Sequence, residues 1–154
     1  MDNIIINIDN IYRSDCSLFS KIYISCGAID FPDSEWIDFS DRILINWTEK
    51  IITYQFEKNA DFKLYFIESN SNRLDIHKRN DKIEIRCIEY DDCRERCLHR
   101  FELYYVDFLK ALSKAISKFA YLLYDQNFFD GKNELTYKEL IRYRSVIDKI
   151  IKEI

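Results

Sequence analysis

The sequence predicts a single α+β domain over residues 1–154: an antiparallel sheet of five or six strands, two long helices on one face, and an additional C-terminal helix. Three observations carry that reading. Apolar residues recur at helical spacing around the two tryptophans and again after Tyr105. Between these stretches lie short segments that alternate apolar and polar residues. Their connections are short and polar, which favours an antiparallel meander over parallel crossover units.

Taken in order, residues 3–9 and 21–27 read as strands, the second alternating Ile22, Ile24 and Cys26 against Lys21, Tyr23 and Ser25. A polar turn region at 12–17 joins them. Then comes Phe31-Pro32-Asp33-Ser34-Glu35-Trp36-Ile37-Asp38-Phe39, with the only proline of the chain. Proline cannot sit inside a helix, so the helix is expected just after it, capped by Asp33 or Ser34. Trp36, Ser40, Ile43, Trp47, Ile51 and Tyr54, widened by Phe39 and Leu44, form the stripe of an amphipathic helix about 20 residues long. Glu35 and Asp38 would then meet the positive end of its dipole.

Beyond this helix, 62–68, 73–79, 82–90 and 94–103 read as strands, separated by the polar tract 69–72, by Asn80-Asp81 and by Asp91-Asp92. The second helix is expected over 105–127, with Leu109, Leu112, Ile116, Phe119 and Leu123 inward and Lys110, Lys114 and Lys118 outward. Gly131 ends that region. Thr136-Tyr137-Lys138-Glu139 has the form of a capping box for a third helix, whose inner face would be Leu140, Tyr143, Ile147, Ile150 and Ile154.

Composition narrows the function classes. Hydrophobic residues make up 47% of the chain and aromatics 16%, enough for a packed core. Two isolated glycines, Gly27 and Gly131, cannot build a Gly-rich phosphate cradle. A formal charge of −4 without a basic run argues against nucleic-acid binding, which needs clustered Lys and Arg. No apolar run reaches the ~20 residues of a membrane span, so no membrane partner is expected. Met1-Asp2-Asn3 lacks a positive leader region, and Ile4-Ile5-Ile6 is too short for a signal core. A cytoplasmic setting follows, with Cys16, Cys26, Cys87, Cys93 and Cys97 as reduced thiols.

The chemistry-bearing residues are sparse. His77 and His99 are the only histidines, and no nucleophile motif surrounds either. Cys93-x-x-x-Cys97-x-His99, with Cys87 upstream, shares one face if the segment is a regular strand, but lacks the tight paired spacing of structural zinc. No catalytic residue, metal or organic cofactor is therefore expected. Carboxylates gather in two places: Asp30, Asp33, Glu35, Asp38 and Asp41 near the first helix, and Glu89, Asp91, Asp92 and Glu95 around a strand turn. Asp30, Asp33, Glu35, Asp91, Asp92 and Glu95 are the candidate partner-binding residues, since acidic patches steer basic partners.

The run Phe31-Pro32-Asp33-x-x-Trp36-x-Asp38-Phe39-x-x-x-Ile43-Leu44-x-x-Trp47 resembles a pattern in small bacterial immunity proteins of polymorphic or contact-dependent toxins. Such proteins place strands before an FP-x-x-x-W-x-D-F helix, then a strand meander and a second long helix. The resemblance implies a non-enzymatic inhibitor of one cognate protein toxin. The acidic balance of this chain adds the expectation of a basic effector domain. Two other classes stay open: a small enzyme using an acidic cluster, and a regulatory binding module with no toxin partner. A deep pocket with convergent titratable groups would favour the enzyme.

Overall fold

A computed structural model describes residues 1–14, 17–68, 71–125 and 131–154, with side chains of the helix that begins at residue 131 described from 133 onward. Its elements run β1 (Ile4–Ser14), β2 (Ser17–Cys26), β3 (Ile29–Phe31), β4 (Ile37–Asp38), α1 (Ser40–Thr53), β5 (Asn59–Tyr65), β6 (Asn72–Arg79), β7 (Lys82–Asp91), β8 (Arg94–Tyr104), α2 (Tyr105–Asp125) and α3 (Gly131–Glu153). The α+β class is as expected. One sheet of five or six strands is not: the strands form two antiparallel sheets of four.

In the first sheet β1 pairs with β2, and the far edge of β2 carries β3 at one end and β4 at the other. These two short strands have no alternating pattern of their own, and the sequence reading passed over both. Gly27 supplies the positive φ (62°) that the β2–β3 turn requires. The second sheet is the meander β5-β6-β7-β8. A backbone bond joins the two sheets where Asp2 N–H donates to the Glu102 carbonyl, 2.9 Å. Helix α1 packs on β2 and β5, and α2 on β1 and β8, so each touches a strand of either sheet. Helix α3 lies against α2 and α1.

One continuous core joins both sheets and the helices, from Ile8, Ile22 and Ile24 through Trp47, Leu74 and Ile85 to Leu112, Phe119 and Ile147. The buried residues of α1 are Ser40, Ile43, Leu44, Trp47, Thr48 and Ile51: the expected stripe from Ser40 to Ile51 with Thr48 added, while Tyr54, expected in it, is the half-buried C-cap. The helix begins five or six residues later than a cap at Ser34 or Asp33 would place it, at Ser40, and has 14 residues. Local pairing explains the delay. Ile37 and Asp38 pair with Lys21 and Ser20, and Ile22 N–H donates to the Trp36 carbonyl at 3.0 Å, so this backbone belongs to a sheet edge. Asp33 caps no helix; its carboxylate accepts from the Glu35 N–H, 2.8 Å, closing a turn of its own. Asp41 is the acidic residue in the first turn of α1, so the dipole account of Glu35 and Asp38 does not hold.

The third helix starts at Gly131, which opens a helix where it was expected to end a region, and Thr136 is therefore interior rather than a cap. Leu140, Tyr143, Ile147 and Ile150 are buried as expected, while Ile154 lies past the helix end and is exposed. The 12–17 turn region is mostly strand, with Ser14 opposite Ser17. Residues 15 and 16, the 69–70 half of the polar tract, and residues 126–127 of the expected second helix lie outside the described residues. No described helix is long and apolar enough to cross a membrane.

Candidate functional site

The FP-x-x-x-W-x-D-F residues converge on one carboxylate. Asp38 is 0% exposed. Its Oδ1 accepts from the N–H of Phe39 (2.7 Å) and of Glu68 (2.8 Å). Its Oδ2 accepts from Trp36 Nε1 (3.0 Å) and from the Ile67 N–H (2.9 Å). A buried carboxylate must be hydrogen-bonded to offset its lost hydration, and here four donors meet its two oxygens. The result ties the entry of α1 to the chain leaving β5. Beside it, Phe66 sits inside a cage of rings: Trp47 at 5.4 Å, Phe31 at 5.9 Å and Trp36 at 6.4 Å, all edge-on. Trp47 Nε1 also donates to the Tyr65 carbonyl, 2.9 Å. These side chains face inward and hold the fold.

The two carboxylate clusters lie at the same end of the second sheet. Asp38 binds residues 67 and 68, just beyond β5, while Ser71 accepts from the Tyr90 N–H and Arg73 pairs with Glu95 at 3.0 Å. Within the first cluster, Asp30 accepts from Ser25 Oγ (2.6 Å), and Glu35, 77% exposed, pairs with Lys21 at 2.9 Å. The second cluster is interleaved with arginines. Arg96 reaches Glu89 (2.7 Å) and Asp91 (3.5 Å), and Arg73 holds the Glu95 carboxyl below its usual range. Asp91, Asp92, Arg94 and Arg96 line one shallow depression. The hairpin tip is thus a mosaic of both signs. From Asp91 to Leu98 every residue is exposed, so this part of the β7–β8 hairpin buries neither face.

The histidine and cysteine residues are dispersed. His77 Nδ1 lies 3.0 Å from Asp61 Oδ1, which also accepts from Arg79. His99 stacks on Phe101. Cys93 sits in the β7–β8 turn at φ 62°, and the pairing slips at Cys87/Ile88, so that Leu98 is an extra residue between Cys97 and His99. That bulge removes the regular alternation on which a shared Cys93–Cys97–His99 face depended. Among the described residues no group of three His, Cys, Asp or Glu side chains is placed to hold a metal ion. Cys87 is buried against the core, and burial pushes its thiol up to about 12. Cys26, Cys87, Cys93 and Cys97 are all unpaired in disulfide terms; Cys16 lies outside the described residues.

At the other end of β6 the sequence reading missed a buried lysine. Lys78 is 5% exposed. Its Nζ donates to the Glu57 carbonyl (2.7 Å) and stands 4.4 Å from the centroid of the Tyr105 ring. Tyr105 is 3% exposed, and its hydroxyl is the one buried side-chain polar atom without a partner among the described residues. Both line an apolar cavity of about 390 Å³, walled also by Phe56, Val106, Ile150 and Ile154. None of the six candidate acidic residues reaches it. The signal was present: Leu74, Ile76 and Lys78 alternate on one face of β6, so a lysine occupies a core-facing register.

Compared with family models, curated proteins and solved structures, the chain finds no match.

Proposed function

We propose that this chain is a cytoplasmic, non-catalytic immunity protein that binds a cognate bacterial toxin through its charged end. The observation that carries the reading is the outer β7–β8 hairpin, exposed from Asp91 to Leu98 and ringed by paired charges. A strand that buries neither face adds little to the core, and a dense charge mosaic suits selective recognition of a protein surface. The motif shared in resemblance with immunity proteins is spent on internal packing around Asp38 and Phe66, which leaves this end to vary with the partner. Asp33 and Glu35 adjoin the same end through the Asp38 link. The acidic-cluster enzyme gains no support from the cavity, because those carboxylates lie at the other end of β6.

The test is association kinetics against the effector domain encoded beside this chain, at low and high ionic strength. Charge reversal at Asp33 and Glu35, or at Asp91 and Asp92, is expected to slow association with a basic effector. The effect should fade with salt, since steering acts over about 10 Å at 0.1 M. Rates and salt dependence untouched by both pairs would remove the charged-end interface. An effector that fails to bind at all would remove the immunity reading.

A further inference from the structure

The cavity at the Lys78 end is built more like a ligand site than a packing flaw. Three hydrogen bonds to backbone carbonyls fix its wall: Asn80 N–H to the Lys58 carbonyl (2.7 Å), Tyr105 N–H to the Asp81 carbonyl (2.8 Å) and the Lys78 side chain's Nζ to the Glu57 carbonyl (2.7 Å). Its volume of about 390 Å³ falls at the small end of natural ligand cavities. Ile150 lines its interior, while Phe56 at the mouth is 87% exposed, an aromatic ring held in water beside an apolar hollow.

The polar groups set the ligand chemistry. An ammonium has three donors, and Lys78 shows one acceptor besides the Tyr105 ring face. The Tyr105 hydroxyl has no partner. A buried ammonium with spare N–H donors, lining an apolar recess, calls for a ligand carrying acceptors. A cation is disfavoured beside a buried ammonium. A phosphate dianion is disfavoured too, because its desolvation among apolar walls is costly and the two lysines of the lining, Lys58 and Lys78, are already matched in charge by Glu57 and Asp81.

We propose that this cavity binds a small apolar monocarboxylate, its carboxylate held by Lys78 Nζ and its hydrocarbon body lying between Ile150, Val106 and Phe56. This site is independent of the toxin interface, which lies at the opposite end of β6.

The experiment titrates the full chain with phenylacetate and with hexanoate, followed by amide NMR shifts, with phenylacetamide as the neutral control. Saturable shifts are expected around the α1–β5 connection, the β6–β7 turn and the start of α2, with phenylacetamide at least about tenfold weaker. Lys78→Met keeps the side chain's length and apolar stem, and should weaken the carboxylates about tenfold while leaving phenylacetamide unchanged. Phe56→Ala, at an exposed position that cannot disturb the core, should weaken all three probes by a similar factor. Absence of saturable binding by either carboxylate overturns the proposal, as does equal affinity for acid and amide or indifference to Lys78→Met. A dimer dissolved by Phe56→Asp but not by phenylacetate would instead give the cavity mouth to a second copy of the chain, and would overturn it equally.

Discussion

Asp38 and Lys78 are both buried charges, set at opposite ends of the β5–β6 pair, and their surroundings differ in kind. Each Asp38 oxygen takes two donors, one from its own neighbourhood and one from residues about 30 positions away. Lys78 has one carbonyl and the face of a ring, next to a hydroxyl with nothing to bond and a hollow large enough for a ligand. A buried charge with every lone pair engaged is a finished structural joint. One with spare donors beside a cavity is open to a ligand, and its removal should cost the fold far less. The contrast can be broken at either end.

The largest effect is expected at Asp38. Asparagine fits the space, but its amide group must face two N–H donors whichever way it is turned, since each carboxylate oxygen receives two. Asp38→Asn should lower stability by about 3–5 kcal/mol, read as a fall in the urea midpoint at unchanged slope. A loss under about 1 kcal/mol would mean that the joint is not the anchor described. Trp47→Ala attacks the same end by packing alone. Trp47 is 1% exposed and touches Phe66 edge-on, so the loss should be comparable, about 3–5 kcal/mol. An unchanged midpoint would place the ring outside the core.

At the other end the effects should be small or reversed. Tyr105→Phe deletes a hydroxyl that has no partner and should leave stability unchanged or raise it by up to about 1 kcal/mol. A clear loss would reveal a partner for that hydroxyl. The smallest effect is a pH dependence. Burial lowers the pKa of Lys78 below the ordinary lysine value, with the Glu57 charge acting weakly against it. The unfolded chain then holds the proton more tightly, so charged Lys78 destabilises the fold at neutral pH and the penalty fades as pH rises toward about 10.4. Urea midpoints of the wild type should therefore gain on those of Lys78→Met as the pH is raised. A gap that is constant with pH would contradict the burial.

Much of this fold was legible in the sequence because periodicity reports which face of an element is buried. The Ser40–Ile51 stripe, the meander strands and the inner face of α2 all follow from spacing. What stayed hidden depends on partners distant in the chain. The start of α1 is displaced because residues 36–38 pair with β2, which no local cap signal can register. The division into two sheets rests on short strands, and the sheets are tied by partners far apart in the chain, such as the reciprocal hydrogen bonds of Asp2 and Glu102, 100 positions apart. The acidic clusters could be seen as composition, but their interleaving with Arg73 and Arg96 is a product of strand register. Lys78 alone was readable, as a cation at a core-facing position of an alternating strand, and its meaning depended on the Tyr105 ring beneath it.

The joint at Asp38 can be tested most directly by native-state amide exchange at Ile67 and Glu68. These two N–H groups lie just past the end of β5, and their acceptor is the Asp38 carboxylate. If that carboxylate binds the β5–β6 connection to the entry of α1, both amides should exchange as slowly as those inside β5, and Asp38→Asn should release them under conditions where the fold persists. Exchange of both at the rate of an open loop in the wild-type protein would contradict the joint, and with it the claim that the motif residues serve to hold the fold.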